Sequence, residues 1–251
     1  MKKVVFTLLV ALLPVLASAA KGPEWLDRIN TDQADTRSLQ RGAQVYFNNC
    51  MGCHGLEYAR YNRVAKDLEI PEDIFQEYLM STDQRIGDLM TIAMSRQDGT
   101  RFFGVAPPDL TLIARVRGTD WLYTYLRGFY ADETRPYGVN NVVYPDVGMP
   151  HAMVDAQGLC AEPPKPVAGV RIDPLTGDRI SEGGCERYLT EGQLSKVEFD
   201  QSMFDLVNFL EYMGEPIKLE RQRLGWFVMA FLTVFLAFSW LLYRELWKDV
   251  K

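Results

Sequence analysis

Cys50-Met51-Gly52-Cys53-His54 places two thiols and an imidazole within five consecutive residues. Three chemistries use two cysteines at this spacing. A redox dithiol of the thioredoxin kind belongs to a βαβ unit, with a strand before it, but the preceding TRSLQRGAQVYFNN (36–49) reads as a helix. A four-cysteine zinc site would recruit Cys160 and Cys185, yet these stand 25 residues apart and form no second knuckle. Covalent haem attachment also employs His54. The two thiols add across the vinyl groups, and the adjacent imidazole reaches the iron from the same turn. Haem c is therefore the reading that uses all three residues.

A haem held by one histidine has a second iron face, which an electron carrier closes with Met or His, Met raising the potential. The segment YPDVGMPHAMVD (144–155) carries Met149, His151 and Met153 in a loop containing Pro and Gly. Met149 lies between Gly148 and Pro150, which restrict the backbone and present the side chain. It is favoured over His151, with Met153 third. An open iron would instead mean a ligand-binding or peroxidatic haem.

The elements that must position these groups begin with the helix over 36–49. Gly42, Tyr46 and Cys50 recur at i, i+4 and i+8, hence on one face. Near the other end, Ser195 and Glu198 form a capping-box pattern ahead of an apolar stripe at Phe199, Met203, Leu206, Val207 and Leu210. Gly214 and Pro216 stop that helix. Shorter helices are expected over 71–79, 84–95 and 118–130.

Both ends of the chain read as membrane-related. Residues 1–19 have a basic start (Lys2, Lys3), an apolar run and a small Ala17-Ser18-Ala19 triplet, the layout of a secretory signal peptide. Leu224 to Tyr243 has no charge over 20 residues. As a helix it is ~30 Å long, matching a hydrocarbon core. A haem domain over 20–220 would thus be exported, followed by a transmembrane helix over 224–243 and a cytoplasmic tail over 244–251. Loss of Lys2 and Lys3 with the leader moves the formal charge from −6 to −8. An acidic exported domain repels nucleic acid and favours basic partners. Thiols in an oxidising compartment pair. Cys160 and Cys185 bracket a compositionally distinct stretch (155–192) with a small hairpin around Pro174–Gly177. They are expected to close it as a disulfide worth roughly 3–4 kcal/mol in the chain-entropy model.

Taken together, several segments resemble the cytochrome c1 family. They are RGAQVYFNNCMGCHGLEYARY (41–61), APPDLTLIARVRG (106–118), GMPHAM (148–153), and a C-terminal helix followed by GEP (214–216) and one apolar span. The helix before the haem motif also resembles the N-terminal helix of class I c-type cytochromes. Phe102 stands where the family commonly has Asn, and Met149-Pro150-His151 replaces its Met-x-Pro-Pro run. The 155–192 stretch lies outside the family pattern and reads as an insertion.

The resemblance implies a mainly α fold: a class I-like c-type cytochrome haem domain with long loops, plus one C-terminal transmembrane helix. It implies one haem c on Cys50 and Cys53, iron ligands His54 and Met149, Arg117 at a haem propionate, and Pro108 in an extended segment along the haem edge. It also implies an electron-transfer subunit, not catalytic alone, of the quinol–cytochrome c oxidoreductase (cytochrome bc1). Cytochrome b and a Rieske iron–sulfur protein would be its neighbours and a cytochrome c its acceptor, in a bacterial inner membrane with the haem domain periplasmic. A tethered c-type subunit of another oxidase is the alternative, and an open-iron haem enzyme a more distant one.

Overall fold

A computed structural model describes residues 26–80, 84–165, 171–172, 179–180 and 184–249. The leader (1–19) lies outside them. Helix α1 (Thr36–Asn49) starts where the Asp35 carboxylate accepts from the Ser38 N–H at 3.0 Å. Helix α8 (Lys196–Gly214) starts at the Ser195–Glu198 capping box. The two cross at Gly42. A Cβ there would stand 2.0 Å from the Asp205 carbonyl oxygen and 2.7 Å from Phe209 Cβ, so only glycine lets the backbones approach this closely. Asp205, buried at the crossing, accepts from Ser38 Oγ (2.7 Å) and from Arg41 Nε (2.6 Å). Charge-assisted bonds of this kind fix the register of two helices that apolar packing alone would let slide.

Between these helices the chain forms β1 (Leu56–Arg60), α2 (Tyr61–Asp67), α3 (Glu72–Leu79), β2 (Leu89–Met90), α4 (Arg96–Phe103), α5 (Ile113–Arg117), α6 (Thr119–Arg127), β3 (Phe129–Ala131), β4 (Val139–Asn141), α7 (Val154–Gln157), β5 (Gly158–Cys160), β6 (Arg171–Ile172), β7 (Arg179–Ile180) and β8 (Tyr188–Glu191). Among the described residues the strands pair two by two and antiparallel: β1 with β2, β3 with β4, β5 with β8, and β6 with β7. The fold is mainly helical, with ladders that staple loops. Its core runs from the α1–α8 crossing through Tyr61, Phe75, Tyr123 and Phe129, all fully buried.

One expected element is corrected. Residues 84–95 form no helix. Arg85 and Asp88 close a turn through mutual backbone and side-chain hydrogen bonds, and Leu89–Met90 then pairs with β1. Met90 is fully buried and registers against Leu56. The helix lies downstream instead, in α4, where Ser95 Oγ accepts from the Asp98 N–H.

Cys160 and Cys185 are joined as a disulfide, their Cα atoms 5.6 Å apart. The bond, the β5–β8 ladder and the Lys165–Gly184 bridge close the base of the 155–192 stretch. Above them β6 pairs with β7. The turn around Pro174–Gly177 lies outside the described residues.

Helix α9 (Lys218–Leu246) follows α8 after Glu215, Pro216 and Ile217. It is long and apolar enough to cross a membrane and contains the 224–243 run; none of its residues is buried against the rest of the chain.

Candidate haem site

Helix α1 ends directly on the motif. Cys50 N–H donates to the Tyr46 carbonyl at 2.9 Å. The chain then turns tightly, with Cys53 and His54 N–H groups both donating to the Cys50 carbonyl (3.1 and 2.9 Å). Tyr46, fully buried, donates its hydroxyl back to the His54 carbonyl at 2.7 Å. The turn is therefore closed by its own backbone and pinned by the aromatic residue one helical turn before it.

The Pro107–Thr111 segment runs beside this turn. Leu110 N–H donates to the Gly55 carbonyl (2.9 Å), and Asp109 accepts from the Glu57 N–H (2.7 Å). His54 Nδ1 lies 2.7 Å from the Pro108 carbonyl. A carbonyl only accepts, so Nδ1 carries the proton and Nε2 keeps its lone pair. Bonds of this kind orient imidazoles that bind metals. Burial lowers the His54 pKa, which favours the neutral ring.

Cys50 is buried and Cys53 partly buried, and neither is in a disulfide. Burial, helped by Cys53, pushes the Cys50 thiol up to about 12. A redox dithiol needs the opposite, a thiolate stabilised near neutral pH. The cysteine pair, the protonated Nδ1 and the free Nε2 together have the donor chemistry that a covalently bound haem requires.

The Met149 loop approaches from another part of the chain. Gly148 packs against the end of α4: a Cβ there would meet the Phe103 carbonyl at 3.1 Å and Val105 Cγ1 at 3.4 Å. One stretch, 103–111, thus touches both the His54 turn and the Met149 loop. Met149 is half-buried, and its Sδ accepts from the Tyr125 hydroxyl at 3.3 Å. Burial raises the Tyr125 pKa, keeping that hydroxyl a donor.

His151 is buried instead. Its ring stacks on Phe129 (4.8 Å between centres, 2° between planes), and its Nε2 lies 3.3 Å from the Gly158 carbonyl. Burial lowers its pKa to about 4, so it is neutral at pH 7. Met153 is also in the core. Of the three, Met149 is the least enclosed.

Arg117, at the end of α5, is exposed. Its guanidinium carbon lies 5.0 Å from the Trp121 ring centre and 5.9 Å from that of Tyr144. Cation–π contacts hold it beside the Met149 loop, from where it could meet an anionic group. The Phe102 side chain points into solvent, and its carbonyl accepts from the Tyr137 hydroxyl.

Three residues that build this side carry no motif: Tyr125, Asn140 and Asn141. Asn141 is fully buried; it donates to the Tyr125 carbonyl (2.8 Å) and accepts from the Val143 and Tyr144 N–H groups. Asn140 accepts from the Asn141 and Asp146 N–H groups and donates to Asp132. The doubled Asn ahead of a Pro- and Gly-containing loop was the available signal, since Asn carboxamides close turns on their own backbone.

The model of the Cytochrome C1 family matches residues 25–250. The chain is similar to cytochrome c1 of Allochromatium vinosum (45% identical over 251 residues, all of both chains) and to a protein of Nitrosomonas europaea named ammonia monooxygenase gamma subunit (39%, all of both chains). It also resembles cytochrome c1 of Rhodospirillum rubrum, at 28% over 86% of this chain and 83% of that one. Among the described residues, an α-helical domain with a CxxCH turn precedes one helix long and apolar enough to cross a membrane. The chain belongs to the cytochrome c1 family. It is an electron-transfer cytochrome, and the family implies a c-type haem and membership of a cytochrome bc1 complex.

Proposed function

We propose that this chain is the membrane-anchored mono-haem subunit that takes electrons from a Rieske iron–sulfur protein and passes them to a cytochrome c within a quinol–cytochrome c oxidoreductase. The observation that supports this reading is the His54 Nδ1–Pro108 carbonyl bond, which leaves the lone pair of the other ring nitrogen available to a metal. In this reading Cys50 and Cys53 would hold one haem c, His54 and Met149 would bind its iron, and Arg117 would balance a propionate. The haem supplies one-electron chemistry when bound; the chain supplies attachment, orientation and exclusion of water, and no general base or nucleophile is required.

Residues 1–19 would export the domain to the periplasm, α9 would span the bacterial inner membrane around 224–243, and 244–251 would stay cytoplasmic. The Cys160–Cys185 disulfide supports an oxidising compartment. Cytochrome b and the Rieske protein would be its neighbours in the membrane complex.

Three measurements test this. Denatured protein should retain haem covalently. Met149→Leu should abolish the weak long-wavelength band of a Met-ligated ferric haem; a band that persists removes Met149 from the site. Gentle detergent purification should bring cytochrome b and a Rieske protein with the chain, and isolation without them overturns the complex assignment.

A further inference from the structure

The Tyr125 hydroxyl donates to Met149 Sδ at 3.3 Å from a ring that cannot easily turn away. Trp121 stacks on one side of it (4.9 Å between centres, 9° between planes), and Phe129 meets it edge-on at 5.4 Å. Trp121 and Tyr125 are spaced i, i+4 along α6, so their stacking follows from helical geometry, and Phe129 opens β3 just beyond the helix end. Asn141 Nδ2 fixes the same residue's backbone by bonding its carbonyl at 2.8 Å. A thioether sulfur has two lone pairs. A donor on one leaves the other for a metal, and weakens it as an electron donor.

We propose that Tyr125 is a positioning residue that raises the reduction potential of the bound haem by hydrogen bonding to the sulfur of Met149. The inference rests on the reading of Met149 as an axial ligand. Ferric iron, with one more positive charge, gains more from an electron-rich sulfur than ferrous iron does. A hydroxyl that draws density from that sulfur therefore disfavours the ferric form. The couple is one electron, ferric to ferrous, and Tyr125 keeps its proton throughout.

The test uses the full chain, matured with haem and kept in its membrane complex. Tyr125→Phe retains the ring and both stacking contacts and removes only the donor. Potentiometric titration should show the ferrous–ferric equilibrium moving toward ferric by about two- to tenfold, the range a net hydrogen bond commands; tenfold is about 59 mV for one electron. The long-wavelength Met band should survive. Tyr130→Phe, on β3, should leave the potential unchanged. A fluorotyrosine placed at position 125, a stronger donor, should move the potential the opposite way.

An unchanged or raised potential in Tyr125→Phe overturns the inference, as does an equal shift in Tyr130→Phe or no shift with the fluorotyrosine. Loss of the band in Tyr125→Phe alone also overturns it, because the hydroxyl would then be needed for ligation itself. A band missing from the unaltered protein shows instead that Met149 is not the ligand, and the reading beneath the inference fails separately.

Discussion

The two sides of the candidate site are built differently. The His54 side is an extension of a helix crossing: α1 packs on α8 through Gly42, runs into Cys50, and the motif closes on backbone hydrogen bonds. The Met149 side is a loop held by side chains, with Asn140 and Asn141 bonding its backbone and Tyr125 bonding its sulfur. The helix crossing adds many small packing terms to its polar bonds, whereas the loop is placed mainly by a few polar bonds, each costly to lose. The first arrangement suits a permanent covalent attachment. The second suits a side chain that must be presented at the loop surface.

This contrast can be broken at its foundation. Gly42→Val would drive a side chain into the Asp205 backbone, and the overpacking should cost about 3 kcal/mol or more. Thermal melting of the haem-loaded protein in detergent should show both sides failing together; a protein that melts normally removes the crossing from the argument. A smaller and more selective effect is expected for Asn141→Leu. It leaves the Tyr125 carbonyl and two loop N–H groups without their partner and should cost about 2–3 kcal/mol. The Met band should disappear well below the global melting temperature. Coincident loss would mean the two sides form a single cooperative unit.

The smallest effect belongs to the capping box. Ser195→Ala should cost about 1 kcal/mol and leave the Met band intact. Glu198 supplies a pH signature of the same box. Its carboxylate is held below the ordinary range by the Ser195 hydroxyl and then by the Ser195 N–H. A depressed folded-state pKa contributes stability that is present above the unfolded value and lost as pH falls through the folded one. Acid melts should show that component in the unaltered protein and a smaller one in Ser195→Ala, which loses the hydroxyl but keeps the backbone N–H.

The same division governs what could be read in advance. CxxCH, the helical spacing of Gly42, Tyr46 and Cys50, and the capping box are local patterns, and the helices they mark are where they belong. The family was legible because four such segments occur in one order. Residues 84–95 misled because Ile86, Leu89, Met90 and Ile92 mimic helical spacing, while the actual partner of Met90 is Leu56, far away in the chain. No local periodicity reports such a pairing. Tyr125 stayed hidden for a related reason: its hydroxyl acts through one bond to a residue in another element, and an isolated Tyr is common in any helix.

The short joint between α8 and α9 carries a mechanical consequence. Only Glu215, Pro216 and Ile217 separate the helices, and Lys218 pairs back to Glu211 at 2.8 Å across them. Helix α9 has 29 residues, about 43 Å at the usual rise, against a hydrocarbon core of about 30 Å. With this helix in a bilayer the surplus is a stiff post, and the domain on top has no slack line. A joint this short would hold the domain close to the bilayer surface, at a height set by the length of the helix.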